Sequence, residues 1–169
     1  PFQYHPAQCA KMIGTLTDWF GPRIQLNVVG AGGDEPAMLG VHDDRDASQR
    51  RLGEWLEVFH GVLYGGQTFS HRGEFYDVDD FLMVERAKEK VPIYLSGSSD
   101  IARSLLYRYG DYYLMFGLPL EATRAEIERV RAAAEYRPGL KFCLRFHLVV
   151  RETSEAGGAA SSLRATRTS

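Results

Sequence analysis

The segment KFCLRFHLVVRET, residues 141–153, alternates with the period of a β-strand, and its two sides differ in character. Phe142, Leu144, Phe146, Leu148 and Val150 share one side, while Lys141, Cys143, Arg145, His147 and Val149 share the other. Unpaired charge is rarely buried, so an arginine and a histidine on one face of such a strand need a structural reason. Residues 23–29, RIQLNVV, repeat the pattern, with Ile24, Leu26 and Val28 opposite Arg23, Gln25 and Asn27. An open parallel sheet meets helices on both faces and asks for apolar side chains on both. A closed barrel tolerates one polar face, because inward side chains near the carboxyl ends of its strands form the floor of a site.

The rest of the chain supplies the helices such a sheet needs. Residues 7–20 carry apolar residues at helical spacing and stop at Gly21-Pro22. Residues 47–64 set Leu52, Trp55, Leu56, Phe59, Val62 and Leu63 on one stripe and end at Gly65-Gly66. TFSHRGEFYDV predicts a β-hairpin about Arg72-Gly73. VPIYLSGSSDIARSLLYRYG reads as a strand, a turn and a helix ending at Gly110; DYYLMFG is a further strand and LEATRAEIERVRAAAEY a further helix. Short strands alternating with helices make the class α/β with a parallel sheet. Four such units cannot close a (β/α)8 TIM barrel, so the barrel reading is a partial barrel that requires further strands before Pro1 and after Ser169. Residues 1–153 would form this domain, and residues 154–169, rich in Gly, Ala and Ser, a loosely ordered tail.

At 169 residues and a formal net charge of −2, the chain suits one core and has no basic run to attract nucleic acid or an anionic membrane. It holds no apolar stretch near the ~20 residues of a spanning helix and no signal-peptide pattern at its start, which predicts a cytoplasmic protein. Cys9 and Cys143 are far apart and lack CxxC spacing, so they read as reduced thiols.

Four constellations are candidates for chemistry. Arg145 and His147 stand about 6 to 7 Å apart on one strand face, within reach of a single ligand. The guanidinium suits an anion, and the imidazole moves a proton near neutral pH. The plainer alternative pairs Arg145 with a carboxylate and leaves His147 as filling. SGSSD, residues 96–100, places a glycine and serines at a strand-to-helix turn, suited to a phosphate or to ordinary capping. GAGGDEP, residues 30–36, misses a dinucleotide fingerprint because Glu35 stands where a glycine is needed; Pro36 further argues for a loop. HDDRD, residues 42–46, reads as a capping loop ahead of the helix rather than a metal site.

The order of these motifs, HPAQCAKMIGTLTDWFGPRIQLNVVGAGGDEPAMLG, HDDR, GGQTFSHRGEFYDV, VPIYLSGSSDIARSLL and CLRFHLVVRET, resembles the bacterial luciferase-like flavin monooxygenases, nearest the alkanesulfonate and dimethylsulfone branch. The resemblance implies a (β/α)8 barrel with a hairpin insertion after its fourth strand, here the end of strand three through strand seven. It implies a cofactor, reduced flavin mononucleotide (FMNH2), delivered by a separate flavin reductase, and oxygenation of a small, often organosulfur, substrate by O2 through a peroxyflavin. The expected assembly is a homo-oligomer, with neither nucleic acid nor membrane among its partners. Residue by residue, Arg145 and His147 match the family's Arg-x-His pair beside flavin and substrate; Gly97, Ser98 and Ser99 match the turn at the flavin phosphate; Asn27 matches the asparagine ending the fourth strand. Asp46 stands where the family has tyrosine, and Gly30-Ala31 replace a polar residue followed by glycine. Two other readings are a deazaflavin (F420)-dependent oxidoreductase and a non-catalytic flavin-binding protein that has lost strands.

Overall fold

The computed structural model describes residues 3–30, 35–84, 87–146 and 150–153, Glu35 by its backbone alone. The first helix, α1 (Pro6–Phe20), begins with proline in its first turn, where a missing N–H costs nothing. It ends at Gly21, whose φ of 67° is a left-handed conformation that glycine adopts freely. Then come β1 (Leu26–Asn27), a single helical turn α2 (Glu35–Met38), and the long α3 (Arg45–Tyr64). A hairpin of β2 (Thr68–Arg72) and β3 (Asp77–Leu82) follows. The chain continues through β4 (Ile93–Leu95), α4 (Asp100–Tyr109), β5 (Tyr112–Phe116), α5 (Leu120–Ala132) and β6 (Lys141–Arg145).

Four strands form one parallel sheet in the order β1-β4-β5-β6, and the hairpin is a separate antiparallel pair. Register sorts the faces of the parallel sheet. Asn27, Tyr94, Tyr112 and Lys141 lie in one row, with the pairs Leu114–Cys143 and Phe116–Arg145 further along the same side. Ile93, Leu95, Tyr113 and Met115 point the other way and are buried in one core with Leu56, Phe59 and Leu63 of α3, Leu106 of α4 and Val130 of α5. The apolar stripe expected on the long helix is buried in full. Helices therefore clad one side of the sheet, and among the described residues the side that carries Asn27 and Arg145 is free of them.

Two elements differ from expectation. The strand expected over 23–29 pairs with β4 at Leu26–Asn27 alone, with one further bond from Val28 N–H to Tyr94 O at 3.1 Å. The loop expected around Pro36 contains the turn α2, which accepts proline at its second residue since the first helical amides have no partner within the helix. The strand through His147 is described only to Arg145, and His147 and the tail from residue 154 lie outside the described residues. Among the described residues no helix is long and apolar enough to cross a membrane.

Candidate functional site

A cavity of about 800 Å³ opens at the carboxyl ends of β1, β4 and β5. Gly30 follows β1; Ser96, Gly97, Ser98 and Ser99 follow β4; Phe116 ends β5, and all line it. Close approach fixes the two glycines. A Cβ on Gly30 would stand 2.5 Å from Leu52 Cδ2. Gly97 has φ +121°, and a Cβ there would stand 2.7 Å from Ala102 Cβ.

The serines divide their work. Ser99 Oγ accepts a hydrogen bond from Ala102 N–H at 3.1 Å and caps α4, as the plainer reading of this turn expects. Ser98 is exposed, and among the described residues its hydroxyl has no partner. The turn thus offers a free hydroxyl, glycine backbone and the positive end of a ten-residue helix to the cavity, a donor set that fits a phosphate. Arg45 and Gln49 of α3 reach the cavity from one side, and Glu126 and Arg129 of α5 from another. Gln49 Oε1 is buried and has no hydrogen-bond partner among the described residues.

Beneath the turn lies a charged network that residue patterns did not reveal. The Tyr113 hydroxyl is 3.1 Å from Gly97 O and 3.0 Å from Glu126 Oε1. Arg129 Nη1 donates to Glu126 Oε2 at 3.1 Å, and Arg103 Nη1 approaches Oε1 at 3.5 Å. Burial pushes the Tyr113 phenol far above the usual tyrosine range, and the Glu126 carboxylate beside it adds to the effect. Tyr113 therefore keeps its proton.

The remaining expected residues sit on the helix-free face. Arg145 is exposed there, its guanidinium 5.8 Å from the centre of the Phe116 ring, and that ring is its partner among the described residues. Asn27 is exposed at the opposite edge of the sheet, so the fold does not bring it to Arg145. Phe116 belongs to both regions, lining the cavity and supporting Arg145, and makes them continuous. Tyr94 and Tyr112 stack on the same face with centroids 4.2 Å apart, and Lys141 Nζ lies 3.2 Å from Tyr112 Oη. In HDDRD, Asp44 Oδ1 accepts from Ala47 N–H at 2.7 Å to cap α3, and Asp43 pairs with Arg51 at 2.5 Å. That pairing holds the Asp43 carboxyl below the usual carboxylate range. Among the described residues no group of three His, Cys, Asp or Glu is placed to hold a metal ion.

A parallel sheet clad by helices on one side, with a cavity at the carboxyl ends of its strands, is the architecture of a sector of a (β/α)8 barrel. The chain belongs to the luciferase-like monooxygenase family, whose sequence profile matches residues 1–167. The FMNH(2)-dependent dimethylsulfone monooxygenase of Pseudomonas fluorescens (strain Pf0-1) is 28% identical over 162 residues, covering 94% of this chain and 44% of that protein. The chain thus spans less than half the length of that relative. The EDTA monooxygenase of Chelativorans sp. BNC1 shares the fold with a TM-score of 0.77 at 21% identity, over 96% of this chain and 44% of that one. An F420-dependent secondary alcohol dehydrogenase does so with a TM-score of 0.70 at 18% identity, over 85% of this chain and 45% of that one. The resemblance read from the motif order and the α/β barrel class are both borne out.

Proposed function

We propose that the protein is an FMNH2-dependent monooxygenase acting on a small organic substrate, with organosulfur compounds the first to test in view of the dimethylsulfone relative. The observation that carries this reading is the continuity, through Phe116, between the Gly97-Ser98-Ser99 turn and the face that bears Arg145. The turn would hold the flavin phosphate, with Ser98 as hydroxyl donor and the α4 amides behind it. Bound reduced flavin supplies the activation of O2. Arg145 would hold negative charge on flavin or substrate, and His147 would hold or deliver a proton to the bound oxygen. Asn27 would meet the ligand from the β1 edge. A separate flavin reductase would supply FMNH2, and the assembly would be a homo-oligomer.

The test is anaerobic titration with FMNH2, followed by O2 and a panel of sulfones and sulfonates, with a reductase present and product detected by mass spectrometry. Tight FMNH2 binding and substrate-dependent oxygenation are expected. His147→Ala should leave flavin binding intact and lower turnover by roughly 10² to 10⁴. Preferential binding of F420, with hydride transfer and no O2 uptake, would replace this reading by the deazaflavin one. Flavin retention without turnover on any substrate would replace it by a binding role.

A further inference from the structure

The turn proposed to hold phosphate is itself held by a side chain behind it. Tyr113, buried on the helix side of β5, places its hydroxyl 3.1 Å from Gly97 O. A trans peptide sets its C=O and the following N–H antiparallel, so a Gly97 carbonyl held towards Tyr113 directs Ser98 N–H the opposite way, outwards on the exposed side of the turn. Glycine at φ +121° has wide torsional freedom, and without an anchor this peptide would turn at little cost.

The hydroxyl has one proton and two acceptors, Gly97 O at 3.1 Å and Glu126 Oε1 at 3.0 Å, so it serves one of them at a time. Arg129, three residues further along the same helix, donates to Glu126 at 3.1 Å, and Arg103 of α4 stands 3.5 Å away as an ion pair without a hydrogen bond. The arginines draw off its negative charge and leave Gly97 O a competitive acceptor. An anion on Ser98 N–H would polarise the peptide and strengthen that carbonyl further, since hydrogen bonds in a chain reinforce one another.

Resting on the phosphate reading of the turn, we infer that Tyr113 is a positioning residue. Its hydroxyl, buried behind the turn, sets the Gly97–Ser98 peptide in the orientation that accepts the phosphate of the flavin. Glu126 competes for the same proton and restrains the contact.

The experiment is a fluorescence titration of the full chain with oxidised FMN and with riboflavin, which lacks the phosphate, alongside melting curves. The wild type is expected to bind FMN more tightly than riboflavin. Tyr113→Phe should lower FMN affinity by about tenfold, the scale of one lost hydrogen bond, and leave riboflavin affinity unchanged. Glu126→Gln removes the competing charge, so the ratio of FMN to riboflavin affinity should hold or rise even as the melting temperature falls. Equal weakening of both ligands by Tyr113→Phe, or a lowered ratio in Glu126→Gln, would overturn the inference. Should Tyr113→Phe not fold, the direction of the Glu126→Gln ratio decides alone. A wild type that fails to distinguish the two flavins sinks the phosphate reading itself, and the inference with it.

Discussion

Gly97 and Arg145 are both proposed to meet the ligand, yet they stand in opposite relations to stability. Gly97 combines φ +121° with a Cβ position 2.7 Å from Ala102 Cβ, so any side chain there meets both backbone strain and α4. Gly97→Ala should cost roughly 1 to 3 kcal/mol and weaken FMN binding together with the melting temperature. Arg145 is exposed and rests on the face of Phe116, with no buried partner to abandon among the described residues. Arg145→Ala should leave stability within about 0.5 kcal/mol of wild type while turnover or flavin affinity falls. Calorimetry and flavin titration on the two variants separate the roles, and a melting-temperature loss in Arg145→Ala matching that of Gly97→Ala would refute the assignment. The Gly-Ser-Ser turn was legible because a strand, a turn and a capped helix are local features. Tyr113 and Glu126 were not, because alternation gives a residue's face and says nothing of which helix lies over it.

The hairpin shows the same division among elements. Arg72-Gly73 between two β-prone runs marked the β2–β3 turn, but a two-stranded hairpin is marginal alone and needs an anchor. The anchor is Glu54 of α3, whose carboxylate accepts from the backbone N–H of Glu74 at 3.0 Å, Phe75 at 3.0 Å and Tyr76 at 2.8 Å. His71 Nε2 stands 3.3 Å from the same group. Gly73 is required beside it, because a Cβ there would fall 1.8 Å from Glu54 Oε1. Glu54→Ala strips three turn amides of their acceptor and should cost about 2 to 4 kcal/mol. Hydrogen exchange at residues 74–76 should quicken while that of β4 and β5 does not, and uniform quickening across both regions would show that the carboxylate supports the core instead. Such pairings join residues some twenty positions apart in the chain, as Glu54 and Glu74 are, and no short pattern announces them. The register of β1 likewise covers two residues although its alternation runs further, since alternation does not show where a neighbouring strand lies alongside.

At the scale of the molecule, one core under one face of the sheet decides how stability answers to pH. Tyr64, Tyr107, Tyr109 and Tyr113 all have phenols raised above the usual value of 10.0, with burial the leading cause in each. They lie on α3, α4 and β5, so the shifts belong to the packing as a whole. A raised phenol favours the folded state while it holds its proton: the contribution is full below the unfolded value and drains as pH climbs from there through the folded one. On the acid side Asp43 is lowered by its hydrogen bond to Arg51, so its contribution is present above the unfolded carboxyl value of 3.8 and is lost as pH falls through the folded one. Melting temperature should therefore be flat across neutrality and fall steeply beyond about pH 10, more steeply than the lowered carboxyls of Asp43 and the exposed Glu74 let it fall in acid. Phenolate absorbance and circular dichroism followed together give the check. Buried phenols should ionise in one cooperative step with loss of the helical signal, because unfolding is what releases them to water. Smooth titration near the free-tyrosine value with the helical signal intact would mean that solvent already reaches these rings, and that the sheet is not covered as described.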